Sequence, residues 1–302
     1  MIKPSNALVT SRIFRVPVFA WLIGVWAFAV VAGCHGGPAT VLAELDESRR
    51  LSADLRIQFS KAADASNRAV MAETDEASIA FAHEAEHSST LVDHDVAALG
   101  PLLNRLGVSE EVRLLGLFSK QLAAYRNVDR VALDLAVENT NLKARRLSFG
   151  PARQAADRFK AALANFAPSL TATDRCRAEA LAAKATLNVR ELQVLQGPHI
   201  ASPDDSAMTA MEQEMAALEA QTAETLTALQ GSIAPSSLTA ARAAFEEFKS
   251  IESQIVPLSR RNTNVRSLEL SLRDKPPLAA ACDDTLLRLD TALAQEGSKA
   301  TR

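Results

Sequence analysis

Aromatic side chains make up only 5% of this 302-residue chain, a single tyrosine among them, and glycine occupies just 11 positions. Sheets favour β-branched and aromatic residues, so the shortage argues against them. A glycine-rich phosphate loop and a serine elbow are both missing. There is no Cys-x-x-Cys-His, which excludes covalent c-type haem. A net charge of −3 carries no polyanion-binding signature, so nucleic acid is not an expected partner. What is present is 48% hydrophobic residues dominated by alanine and leucine, the profile of long packed helices. The expected class is all-α.

Residues 1–34 read as a targeting segment. Lys3, Arg12 and Arg15 form a positive start, an uncharged apolar run follows from Val16 to Gly33, and Val31-Ala32-Gly33-Cys34 closes it. That ending resembles the lipobox of a bacterial lipoprotein, in which the Cys34 thiol accepts the lipid. The run is also near the shortest length that spans a bilayer, so an uncleaved anchor is the other reading. Either way the remainder is expected in an extracytoplasmic or periplasmic space, held to the membrane at its N-terminus, with no second hydrophobic span. Loss of residues 1–33 removes three basic residues and no acidic one, which takes the net charge to −6. Cys176 and Cys282 are then free thiols in an oxidising compartment, where a disulfide between them is one outcome.

The remaining chain reads as eight helices. The first runs over about 40–71 and the second over about 75–106, kinked at Gly100-Pro101. The third is long, from Ser109 to about Leu147. Phe149-Gly150-Pro151 ends it and starts a short fourth, to about Phe166. A prolyl joint leads to a fifth, from about Thr173 until Gly197-Pro198, and a sixth after Ser202-Pro203-Asp204-Asp205. The seventh, from Ser237 to about Arg273, is bent at Pro257, and the eighth starts at Pro276-Pro277.

Asn139-Thr140-Asn141-Leu142-Lys143 returns 123 residues later as Asn262-Thr263-Asn264-Val265-Arg266. In the same register Tyr125 falls on Phe248, Asp129 on Glu252 and Phe159 on Cys282. Self-similarity over such a length points to duplication. The expected architecture is two antiparallel four-helix bundles in tandem, over residues 39–167 and 172–296. An N-terminal anchor, a four-helix module and a long helix with an inward polar motif together resemble the periplasmic sensory module of bacterial methyl-accepting chemotaxis receptors. The resemblance implies a sensing half without a transmitter domain, read out by a separate protein partner or by self-association.

Several clusters are candidate sites. The motif lies on the apolar stripe of its helix, together with Asp129 and, in the second copy, Glu252. Polar groups placed there must find hydrogen bonds inside. One reading is a polar layer in which Asn139, Thr140 and Asn141 pair with Asn262, Thr263 and Asn264 to fix register, while the acids reach another helix's base. The other is a pocket in which Lys143 and Arg266 hold a small anion such as a carboxylate. Arg145, Arg146, Arg260 and Arg261 fall off the stripe and read as a solvated face. His83 and His87 stand four residues apart, a spacing that can share a metal ion, with His94 further along, but all three face away from the apolar seam. Met208, Met211 and Met215 have the spacing of a helix core rather than of a copper site. No cofactor is expected. Nothing concentrates Ser, Asp and His for catalysis, so the chain reads as a non-enzymatic sensory or ligand-binding bundle. A structural envelope lipoprotein is the alternative, and a periplasmic metal-binding protein a third reading.

Overall fold

The computed structural model describes residues 38–166 and 170–300. The targeting segment, including Cys34, lies outside the described residues. Helix α1 spans Pro38–Met71, α2 Asp75–Leu106 and α3 Ser109–Glu138. After Asn139 the chain resumes as α4, Thr140–Leu147, passes through a π-helical turn at Ser148–Ala152 and continues as α5, Arg153–Leu163. Helices α6 (Ala172–Ala201) and α7 (Asp205–Ala228) follow, then α8 (Pro235–Arg261) and α9 (Thr263–Glu269). A second π-helical turn, Leu270–Asp274, leads into α10, Lys275–Ala300. The described residues are all-α, with one isolated antiparallel bridge between Phe166 and Ile233.

The local stops follow from backbone chemistry. The Thr74 hydroxyl accepts from Ala77 N at the start of α2, Asp204 caps α7, and Gly107 ends α2 with a left-handed φ of 70°. Two prolines behave differently from the sequence expectation. Gly150-Pro151 does not end a helix but sits inside the first π turn, and Pro198 lies within α6; Pro257, expected inside a bent helix, does lie inside α8. A proline removes one intrahelical bond; a π turn absorbs the mismatch, and packed neighbours hold the rod together. The chain breaks instead at Asn139 and Asn262, whose φ angles of 53° and 54° are the only positive ones outside glycine among the described residues. Asparagine tolerates this left-handed conformation better than other non-glycine residues.

Because the prolines do not stop the helices, α3–α4–α5 and α8–α9–α10 are two long, once-broken rods. After its break the first rod runs on for roughly 36 Å and the second for roughly 57 Å, at ~1.5 Å per residue. That carries α5 and α10 away from the helices that precede them in sequence. Leu55 and Phe59 of α1, Leu99 of α2 and Phe118 of α3 share a core with Cys282, Leu286 and Leu289 of α10. Phe159 of α5 shares a second core with Leu192 of α6, Met215 of α7 and Phe248 of α8. The helices therefore pack as α1, α2, α3 with α10, and as α5, α6, α7 with α8. Each group of four borrows one member across the boundary between residues 39–167 and 172–296: α10 in the first, α5 in the second.

This packing disposes of the disulfide. Cys282 is buried in the first core, whereas Cys176 is exposed on α6, which belongs to the second, and both thiols are free. Burial pushes the Cys282 thiol up to about 12, with Asp283 adding to the effect, so it behaves as a core hydrophobe. Among the described residues no helix is long and apolar enough to cross a membrane.

Candidate functional site: the crossing and the two acid layers

The two rods meet at the repeated motif. A break at Asn139 leaves the first backbone N–H groups of α4 without intrahelical partners, and a break at Asn262 does the same to α9. Each rod satisfies the other. Thr140 N donates to Thr263 Oγ1 at 3.0 Å, and Thr263 N donates to Thr140 Oγ1 at 3.1 Å. Asn141 N donates to Asn264 Oδ1 and Asn264 N to Asn141 Oδ1, both at 3.1 Å. Asn141 Nδ2 donates to Asn262 Oδ1 and Asn264 Nδ2 to Asn139 Oδ1, both at 2.8 Å. The motif is thus a reciprocal N-cap between two crossing helices, and each element of it is buried or half-buried. The C-terminal end of α6 joins on one side only, where Ile200 O accepts from Asn141 Nδ2 and Ser202 O from Asn262 Nδ2. Asn139 Nδ2 is left without a partner.

The basic residues of the motif do not converge on a pocket with the amides. Lys143 Nζ donates to Glu138 O at 2.7 Å, and Arg266 is exposed. Arg261 pairs with Glu138 across the crossing, and Arg146 pairs with Asp75. An anion pocket built on Lys143 and Arg266 is therefore not formed, because the asparagine and threonine groups meant to orient the anion are consumed in capping. Thr140→Val is expected to cost about 1–3 kcal/mol, since it strands the buried Thr263 N–H. Urea unfolding of Thr140→Val, Thr263→Val and the double variant checks this; the two costs should fall short of additive because the hydroxyls lie 3.2 Å apart.

About two and a half turns before each motif's helix end lie the acids. Asp129 meets a base from another helix: Lys275 Nζ, at the start of α10, stands 2.6 Å from Asp129 Oδ1. Lys275 also donates to Ser66 Oγ at 2.6 Å and to Asn67 Oδ1 at 3.2 Å, and Ser66 donates to Asp129. The ammonium lies over the Tyr125 ring, 5.8 Å from its centroid, and is 3% exposed. Lys275 carried no signal of its own in the sequence, because a lysine before Pro276-Pro277 looks like an ordinary helix start.

Glu252 has no such partner. It is 4% exposed, and its Oε2 makes no hydrogen bond. Burial pushes its carboxyl up to about 8, nearby Glu219 adds to the rise, and Gln196 eases it only in part. Gln196 receives the Ser148 hydroxyl at 2.7 Å, yet its own Nε2 is unpartnered. Glu252 lines an open cleft of about 510 Å³ between α7 and α8, with Glu212, Met215, Glu219, Lys249 and Pro257.

A further polar cluster, absent from the sequence expectations, sits behind that cleft. His199 is fully buried near the end of α6, with Nδ1 at 2.8 Å from Ser259 Oγ and Nε2 at 2.8 Å from Glu212 Oε1. Arg260 grips both oxygens of Glu212 and holds its carboxyl below the usual range, with His199 contributing. Serine, histidine and carboxylate in line suggest a hydrolytic triad, but Ser259 is buried and donates its proton to His199 O. No nucleophile is presented; the cluster ties α6, α7 and α8 together.

His83-Glu84-Ala85-Glu86-His87 satisfies the H-E-x-x-H pattern of zinc proteases. In α2 both imidazoles are exposed, and the nearest acid to His83 is Glu86 at 3.5 Å. His94 is exposed as well and contacts Asp95. Among the described residues no three His, Cys, Asp or Glu side chains are placed to hold a metal ion, because these histidines face away from every neighbouring helix that would supply a third ligand. Met208 and Met215 are buried in the second bundle and Met211 half-buried, as core spacing requires. Compared with protein-family models and with curated proteins, the chain matches none.

Proposed function

We propose that this is a non-enzymatic, ligand-responsive helical protein, held at the extracytoplasmic face of a membrane by residues 1–34, that passes a change in one bundle to the other and on to a protein partner. The observation that carries the reading is the crossing. Each rod belongs to both bundles, and its broken turn is capped only by the other rod. A helix that tilts in one bundle therefore displaces a helix of the second, because packed interiors shift between discrete arrangements rather than deform smoothly. A pure scaffold has no need of a buried carboxylate with one oxygen left unpaired and only a glutamine amide near it, beside an open cleft. The resemblance to receptor sensory modules agrees with this reading.

The test is a thermal-shift screen of the full-length chain against amines, amino acids, carboxylates and first-row metals, followed by amide exchange with any solute that binds. Binding to the native state raises the midpoint by mass action, ~2.7 kcal/mol at a hundredfold excess over Kd. A ligand seated in one bundle should alter exchange in the other, and Thr140→Val/Thr263→Val should weaken that transfer while binding persists. No shift with any solute, together with a stable envelope partner, would instead make the chain a structural lipoprotein. Metabolic labelling with a lipid analogue, lost in Cys34→Ser, tests the anchor.

A further inference from the structure

We infer that the cleft between α7 and α8 is a binding site for a primary organic ammonium, whose charged group sits on the Glu252 carboxylate beside Glu219. This names the ligand class for the ligand-responsive reading above and rests on it.

The chain itself shows what a carboxylate at this position takes. Asp129, 123 residues before Glu252, is met by a primary ammonium at 2.6 Å, that of Lys275. At the matching place in the other rod the chain has Ala152, fully buried in the π turn that packs on α8. The second acid is therefore without the ammonium that the first one has. Among the described residues no other base replaces it. Lys249 Nζ is 2.9 Å from Glu246 and lies over the Phe245 ring, while Arg260 and His199 are spent on Glu212. The result is a buried carboxylate with one oxygen left without a hydrogen bond and only the Gln196 amide beside it, on a residue that lines an open cleft.

The surroundings select the kind of cation. The Glu219 charge raises the Glu252 carboxyl further, and burial raises that of Glu219 itself, so a cation between the two acids relieves both. Met215, Ala216, Val256 and Pro257 give the cleft an apolar wall suited to a short carbon stem. A divalent metal ion finds only two free carboxylates here and a lysine close by, and the described residues contain no metal-holding group. The N–H groups matter as much as the charge, since the unpartnered oxygen is a hydrogen-bond acceptor.

The experiment is isothermal titration of the full-length chain with n-butylammonium and 1,4-diaminobutane at pH 7, in phosphate and in HEPES, with tetramethylammonium and magnesium as comparisons. Saturable binding of the primary amines is expected, with release of about one proton per amine bound, because the Glu252 carboxyl, raised by burial, must ionise to receive the ammonium. Glu252→Gln should weaken binding roughly 10- to 100-fold and abolish the proton release. Ala152→Lys supplies the missing ammonium from the chain and should exclude the amines while raising the thermal midpoint. Three results would overturn the inference: no saturable heat with either amine, equal affinity in Glu252→Gln, or equal affinity for tetramethylammonium or magnesium. Amine binding without any change of amide exchange in α1 and α2 would uphold the ligand class and sink the coupling between bundles. A carboxylate or amino acid that changes exchange there while no amine binds would do the reverse.

Discussion

Lys275→Met is expected to lower the unfolding free energy by about 3–5 kcal/mol, the cost of leaving one member of a buried ion pair unpaired. The size follows from the surroundings of the pair. Lys275 is 3% exposed and its ammonium is held by Asp129, Ser66 and Asn67; Asp129 is half-buried at the edge of a cleft, so water offsets part of the loss and the cost falls at the lower end of that range. The pair also joins three helices at the end of the first bundle: Asp129 from α3, Ser66 from α1 and Lys275 from α10. Removing the charge from both sides should recover most of the loss. Asp129→Asn added to Lys275→Met leaves a neutral amide that still accepts from the Ser66 and Tyr125 hydroxyls, which lie 2.5 and 3.3 Å from Asp129 Oδ1. Urea unfolding of the two single variants and the double variant gives the coupling energy directly. Additive losses would mean that the ion pair contributes nothing and that each residue acts by packing alone.

The second large effect is in the pH dependence of stability. Glu252 has its carboxyl raised to about 8 in the folded protein, chiefly by burial. In the unfolded chain it titrates near ~4.3. Between those values the native state holds a proton that the unfolded state has released, so stability falls as pH rises. The contribution is fully present below the unfolded value and lost by the time pH has passed the folded one. At about 1.4 kcal/mol per unit, Glu252→Gln should be more stable than the natural chain by roughly 5 kcal/mol at pH 9, with the gap closing by about pH 4. The groups facing Glu252 are Glu219 and Glu212 from α7, Lys249 from its own helix and His199 from α6 behind Glu212. Glu219 is raised as well and adds to the same slope, so part of it should survive in the variant. Thermal midpoints of both proteins across this pH range measure the effect. A difference that does not change with pH would mean that Glu252 is ionised in the folded state, and the case for a cation-seeking cleft would go with it.

Much of the secondary structure could be read from residues. The ends of α2 followed from Thr74 and Gly107, and the start of α7 from Asp204, because capping depends on side chains within three positions. Proline was misleading for the opposite reason. Whether Pro151 or Pro198 stops a helix depends on what packs against the next turn, and that is not local information.

The candidate sites divide along the same line. That Asn139, Thr140, Asn262 and Thr263 face inward was visible in their helical phase, and polar groups there need partners wherever they go. That they would cap one another depended on two breaks meeting in space. The partner of Asp129 was equally invisible. Lys275 lies 146 residues away in the chain and reaches Asp129 only because α10 crosses into the first bundle.

By itself, then, the sequence determined a helical protein with two matched polar motifs, since composition, periodicity and repetition act through near neighbours. Only the tertiary structure decided which helices share a core, which acid has a base and which lacks one. Those outcomes turn on the direction each rod takes after its break, and a change of direction at one residue moves everything beyond it.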